Sequence, residues 1–114
     1  MIEPCDPRMY LILREDLAFK YVQGAHALAN YAREFSPNFQ RWNNGYLICL
    51  SVFNGLALQD LKFKLDNELD KILRFHSTFY EPDLESKLPT AICIFEDGTG
   101  YVSHALRDLK LATK

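Results

Sequence analysis

A chain of 114 residues has room for one core and one domain, spanning 1–114, which excludes a two-domain enzyme. Hydrophobic residues at 48% and charged residues at 25% match a globular chain and exclude a disordered one. Thirteen Lys and Arg against fifteen Asp and Glu leave a net charge of -2, so the molecule has no overall field that draws polyanions, and any nucleic-acid contact has to come from a local patch.

No apolar run reaches the length of a membrane span, and the start, Met1 to Arg8, carries Glu3, Pro4, Asp6 and Pro7 instead of a basic and then apolar leader. The chain therefore reads as cytoplasmic, with no membrane partner. Cys5, Cys49 and Cys93 are widely spaced, form no CxxC pair and have no histidine at zinc-ligand distance, so neither a metal site nor a cofactor is expected. Cys49 and Cys93 lie in apolar runs that would not stabilise a thiolate, which argues against a catalytic cysteine. Two buried thiols and one exposed near the terminus are expected.

Met9 to Arg14 is a short continuous apolar run, as in a central strand covered on both faces. Asp16 is placed to cap the helix that follows over 18–34, where Ala18, Val22, Ala25 and Ala29 form one stripe and Tyr21, Ala25, Leu28 and Ala32 another beside it. Gly24 and the alanines of this helix permit a close approach to whatever it covers. Ser36-Pro37-Asn38 breaks the helix, and a polar loop carrying Trp42 leads to a second strand over 46–53. Asn54-Gly55 turns the chain into a second helix over 57–75, with Leu58, Leu61, Leu65, Leu69 and Ile72 at helical spacing. A third strand over 76–81, a loop over 82–89 and a fourth strand over 90–95 come next. After the turn at Asp97 to Gly100, Ser103 is placed to cap a final short helix with Leu106, Leu109 and Ala112 or Ala105 facing inward. The expected fold is a small layered α/β domain of order βαβαββα, a four-stranded, mostly parallel mixed sheet flanked by helices.

In such sheets ligands sit beyond the carboxyl ends of the strands. With the first and third strands adjacent and parallel, Lys20, Gln23 and His26 would meet Glu81 and Asp83 at one rim. Each residue has a structural alternative. His26 can be a packing histidine, Glu81 and Asp83 can shape a turn around Pro82, and Lys20 can be solvated. His76 and His104 have no obvious carboxylate partner in the sequence and receive no role.

Met9-Tyr-Leu-Ile-Leu-Arg-Glu-Asp-Leu17, Gln23-Gly-Ala-His-Ala27 and Gly45-Tyr-Leu-Ile-Cys-Leu50 resemble the type 2 peptidyl-tRNA hydrolase family, whose opening strand ends in Arg-x-Asp-Leu and whose first helix carries Gln-x-x-His-Ala. The likeness extends over nearly the whole chain in element order, to a closing strand that begins with Thr90. Two departures stand out. Phe19 occupies the position of the family's lysine, with Lys20 one later, and Glu81-Pro-Asp-Leu-Glu85 replaces the family's Asp-Ala-Gly-x-Thr. The chain resembles a divergent branch, with activity retained, altered or lost.

The resemblance implies hydrolysis, without a metal or cofactor, of the ester between a peptidyl or N-acyl-aminoacyl group and tRNA. Glu81 or Asp83 would act on water, Gln23 or Lys20 would stabilise the oxyanion, and His26 would support the helix or shuttle a proton. For tRNA, the candidate cations are Arg8, Arg14, Lys20, Arg33 and Arg41, with Trp42 and Phe39 as stacking surfaces; an aromatic loop also suits a core or an oligomer contact. The resemblance further implies a homodimer, with Phe39, Trp42 and Tyr46 as a possible contact. Two other readings stand beside the enzyme: a non-catalytic protein-binding or dimerising module, and a hydrolase of another acyl ester or amide.

Overall fold

The computed structural model describes residues 2–84 and 87–113. It is a mixed α/β domain: β1 (Arg8–Arg14), α1 (Lys20–Glu34), α2 (Ser36–Trp42), β2 (Tyr46–Val52), α3 (Gly55–Asp66), a 3₁₀ turn (Lys71–Arg74), β3 (His76–Phe79), β4 (Ala91–Glu96), α4 (Tyr101–Ala105) and β5 (Lys110–Leu111). The sheet is open and five-stranded, in the order β3-β4-β1-β2-β5. The middle strand is β1, and its alternating side chains feed two cores. Met9, Leu11 and Leu13 pack with Ala27, Tyr31 and Trp42 on one face, while Tyr10 and Ile12 pack with Leu58, Leu65 and Val102 on the other.

The sheet departs from the expected four-stranded, mostly parallel one. Only β1 and β2 pair in parallel, joined by α1 and α2, whereas β4 with β1, β3 with β4, and β5 with β2 are antiparallel. After α3 the chain passes to the far edge, so β4 lies between β1 and β3. Because β4 opposes both of them, β1 and β3 still run in the same direction, and their carboxyl ends share a rim.

Three helical expectations change for local reasons. The buried face of α1 is Lys20, Gln23, Gly24, Ala27 and Tyr31, not the alanine stripes, and Tyr21 and Val22 lie exposed. The glycine decides this: a Cβ on Gly24 would stand 2.7 Å from Leu13 Cδ2 and 3.2 Å from Leu11 Cδ1, so the helix meets β1 at the residue that lacks one. Asp16 does not cap α1, since it is held by Arg14 and the residue before the helix is Phe19. Ser36-Pro37-Asn38 ends α1 but opens α2, with Pro37 in the first turn, where a missing N–H costs nothing.

The second long helix stops at Asp66 instead of Phe75. Asn54 opens it by accepting from the Ala57 N–H at 3.0 Å, and Asn67 closes it by giving its side-chain amide to the Phe63 carbonyl at 2.7 Å. Leu69, beyond that end, is 95% exposed instead of buried.

At the C-terminus, Ser103 lies inside α4 and does not cap it. The buried Glu96 carboxylate accepts from Gly98, Gly100 and Ser103 N–H groups at 2.7, 3.0 and 2.9 Å and organises that turn. Leu106 is buried and Leu109 half-buried, but the chain then extends as β5 rather than as helix. Among the described residues, no helix is long and apolar enough to cross a membrane.

Candidate functional site

The shared rim of β1 and β3 is where the structure brings predicted residues together. Gln23 is in the first turn of α1, with its backbone N–H bonded to the Phe19 carbonyl at 3.1 Å, and its side chain runs under the helix towards β4. Its amide N–H donates to Glu81 Oε2 at 3.2 Å, and its carbonyl oxygen accepts from the Thr90 hydroxyl at 2.9 Å. A carboxylate can only accept, so the Gln23 NH₂ has to face Glu81. The Thr90 hydroxyl also reaches the Phe79 carbonyl at 3.0 Å, which receives the Thr90 N–H at 2.8 Å as well, so its one proton is shared between Gln23 and the end of β3.

Thr90 is fully buried and Gln23 nearly so, whereas Glu81 is half-buried. The amide is thus fixed from the protein interior and presents its N–H groups outward. In front of it lies an open hollow of ≈ 370 Å³ lined by Leu17, Ala18, Phe19, Gln23, Glu81 and Leu84. Chemically, this is a fixed amide donor beside a carboxylate acceptor, at a place water can reach.

The other predicted catalytic residues are arranged differently. Asp83 is exposed, and its backbone N–H makes a long 3.4 Å contact to Glu81 Oε1. Of the two acids, Glu81 is the one joined to Gln23. Glu85 of the same acidic segment lies outside the described residues. His26 is exposed, three residues after Gln23, and stacks on Phe79 with ring centroids 4.6 Å apart. It packs against the end of β3, just before Glu81.

Lys20 is turned away from the hollow. Its ammonium pairs with Glu15 Oε1 at 3.0 Å and donates to the Thr113 hydroxyl at 2.9 Å. That hydroxyl bonds the second Glu15 oxygen, and the Tyr21 hydroxyl donates to the Thr113 carbonyl at 2.6 Å. The Thr113 and Lys20 hydrogen bonds hold the Glu15 carboxyl below the usual carboxylate range.

The expected tRNA-binding residues form no single patch. Arg14 is buried, doubly bonded to Asp16 at 3.0 and 2.8 Å and donating to the Pro89 carbonyl at 3.2 Å. Trp42 is 7% exposed, with its indole N–H bonded to the Tyr46 carbonyl at 2.8 Å and Phe39 packed beside it at 5.8 Å. Its ring belongs to the core and offers no face for a nucleotide base, and the dimer contact drawn through it retains only Tyr46 as a fully exposed member. Arg33 and Arg41 are exposed, the first bonded to Asn30 and the second over the Phe95 ring. Arg33 lies at the far end of α1, about 15 Å along the helix axis from Gln23 at 1.5 Å per residue, and Arg41 lies beyond it in α2.

Of the cysteines, Cys93 is buried, Cys5 and Cys49 are half-buried, and all are free. Burial pushes the Cys93 and Cys49 thiols up, which leaves them poor nucleophiles. Among the described residues, no group of histidines, cysteines and acids could hold a metal.

Two polar relationships were not anticipated from the sequence. Thr90 stands just before the apolar strand β4, and its hydroxyl at that position is the local sign that something polar faces it. His76 bonds Asp66 at 2.7 Å. Burial lowers the histidine's pKa more than Asp66 raises it, so this is a neutral imidazole donating from Nε2, and Nδ1 is buried without a partner. No family model matches the chain, and no curated protein matches it.

Proposed function

We propose that the chain is a peptidyl-tRNA hydrolase-like enzyme that cleaves the ester between an N-acylated aminoacyl or peptidyl group and the terminal ribose of tRNA. The observation that carries this reading is the Thr90–Gln23–Glu81 relay at the mouth of the hollow. Glu81 takes a proton from water, the resulting hydroxide attacks the ester carbonyl, and the second Gln23 N–H donates to the oxyanion that forms. Collapse breaks the bond to the ribose oxygen, which leaves with the proton held by Glu81. His26 acts as packing for the end of β3, and Lys20 holds the approach to α1 in place. The resemblance of Arg14-Glu-Asp-Leu17 and Gln23-Gly-Ala-His-Ala27 to the type 2 family supports the choice of substrate.

A second reading, a hydrolase of a smaller acyl ester, is favoured by one feature. Arg14 and Lys20, the cations at the end of β1 and the start of α1, are paired with Asp16 and Glu15, which takes both from a phosphate backbone. The test compares N-acetyl-aminoacyl-tRNA with the same N-acetyl-aminoacyl group esterified to adenosine alone. The enzyme as proposed releases N-acetyl amino acid faster from tRNA, with a kcat/KM that falls steeply with salt. Equal, salt-indifferent rates establish the small-ester reading, and no release from either ester removes the hydrolase.

A further inference from the structure

The walls of the hollow are unlike its two reacting groups. Besides Gln23 and Glu81, it is lined by Leu17, Ala18, Phe19 and Leu84, and none of these described lining residues is a cation. Phe19, which holds the position of the resembled family's lysine, is 73% exposed at the mouth, where its ring is free to meet an apolar group entering the hollow. The volume, ≈ 370 Å³, is at the small end of ligand sites, which span about 300–1,000 Å³, and suits one amino-acid-sized group. Lys20, the nearest cation in sequence, is tied to Glu15 and Thr113. Nothing in this lining compensates a negative substituent, and Glu81 repels one.

We infer that Leu17, Phe19 and Leu84 form a specificity pocket for the neutral, apolar side chain of the acyl group whose ester carbonyl faces Gln23 and Glu81. The inference rests on the hydrolase reading for its setting, but the pocket's preference is measurable without turnover. An apolar side chain removes the Phe19 ring and the two leucines from water, and an aspartyl side chain would lose its hydration beside Glu81 without a partner.

Two measurements are combined. In the first, N-acetyl-phenylalanyl-, leucyl-, aspartyl- and lysyl-esters of one tRNA are hydrolysed side by side. The phenylalanyl and leucyl esters are expected to be favoured in kcat/KM by about tenfold or more over the aspartyl ester, and Phe19→Ser to erase most of that margin. In the second, the neutral probe N-acetyl-phenylalaninamide is titrated against the protein and followed by the NMR signals of the Leu17 and Leu84 methyls and the Gln23 amide. Saturable shifts are expected, weakened by Phe19→Ser and by Leu84→Ala and absent with N-acetyl-aspartamide. Turnover of all four esters at one rate overturns the pocket and leaves the hydrolase standing. Saturable binding without turnover retains the pocket and removes the hydrolase. An absence of shifts at those methyls overturns the pocket whatever the rates.

Discussion

The Thr90 hydroxyl, fully buried just before β4, donates to the side-chain oxygen of Gln23 at 2.9 Å, backing an amide whose NH₂ is turned to Glu81. Residues 67 positions apart in the chain are coupled at the point where α1 crosses the sheet.

Thr90→Val keeps the shape and removes the donor. Leaving a nearly buried amide oxygen unpaired should cost about 1–3 kcal/mol of stability. The freed Gln23 should lower kcat on the order of 10²-fold with little change in KM, since binding surfaces are untouched. Denaturant unfolding and steady-state kinetics on the same preparation measure both effects. A variant that loses stability but keeps kcat would make Thr90 structural only.

Gly24→Val places two methyls and a Cβ where Leu13 Cδ2 already stands 2.7 Å from an ideal Cβ. Overpacking at the α1–β1 contact should lower stability by about 1–3 kcal/mol. Gly24→Ala should cost far less, because the better helix propensity of alanine, worth about 1 kcal/mol, offsets a smaller clash with the flexible end of Leu13. Thermal melts of both variants give the ordering, and equal stability of the two would place the helix further from the sheet than described.

The Arg14 hydrogen bonds and charge hold the Asp16 carboxyl below the ordinary aspartate value. A depressed folded-state pKa contributes stability that is present above the unfolded value, about 3.9, and is lost as pH falls through the folded one. Asp16→Asn should therefore be less stable at neutral pH by about 1–2 kcal/mol, discounted from the cost of breaking a buried pair because Asp16 is over a third exposed. The deficit should shrink as both proteins are taken below about pH 3.9. A deficit independent of pH would mean the pair contributes geometry and not charge.

His76 titrates in a different window. Burial lowers its pKa, so the unfolded chain takes up a proton that the folded one refuses, and stability should fall as pH drops through the unfolded histidine value of about 6.5. His76→Gln should flatten that part of the stability curve while leaving the acid limb below pH ~5 in place. Urea midpoints across this range provide the check, and an unchanged slope in the variant would assign it to other groups.

How much of this was legible in the sequence depends on whether local or distant residues decide. Met9 to Leu13 reads as a doubly covered strand because its apolar run is continuous, and it is the middle strand. Gln23 and Glu81 do share a rim as the sequence suggests, but not through adjacent β1 and β3 strands, since β4 lies between them. No local periodicity reports strand order. The inward face of α1 is not legible locally because alanines are equally at home inside and outside, and the position that decides is Gly24, chosen by Leu11 and Leu13 on another element. The hydropathy pattern runs smoothly through Asn67 to Asp70, and only the side-chain bonds of those two residues end one helix and start a separate turn. Trp42 looked like an exposed aromatic loop because the seven-residue α2 that buries it is too short for a periodic signal.

The most direct test of the central claim, that Gln23 and Glu81 form a hydrolytic pair, is the single-turnover rate of N-acetyl-phenylalanyl-tRNA cleavage by Glu81→Gln against the unaltered protein. The hydrolytic account predicts a loss of about 10²–10⁴-fold with the fold intact. A rate within twofold of the unaltered protein's would contradict it.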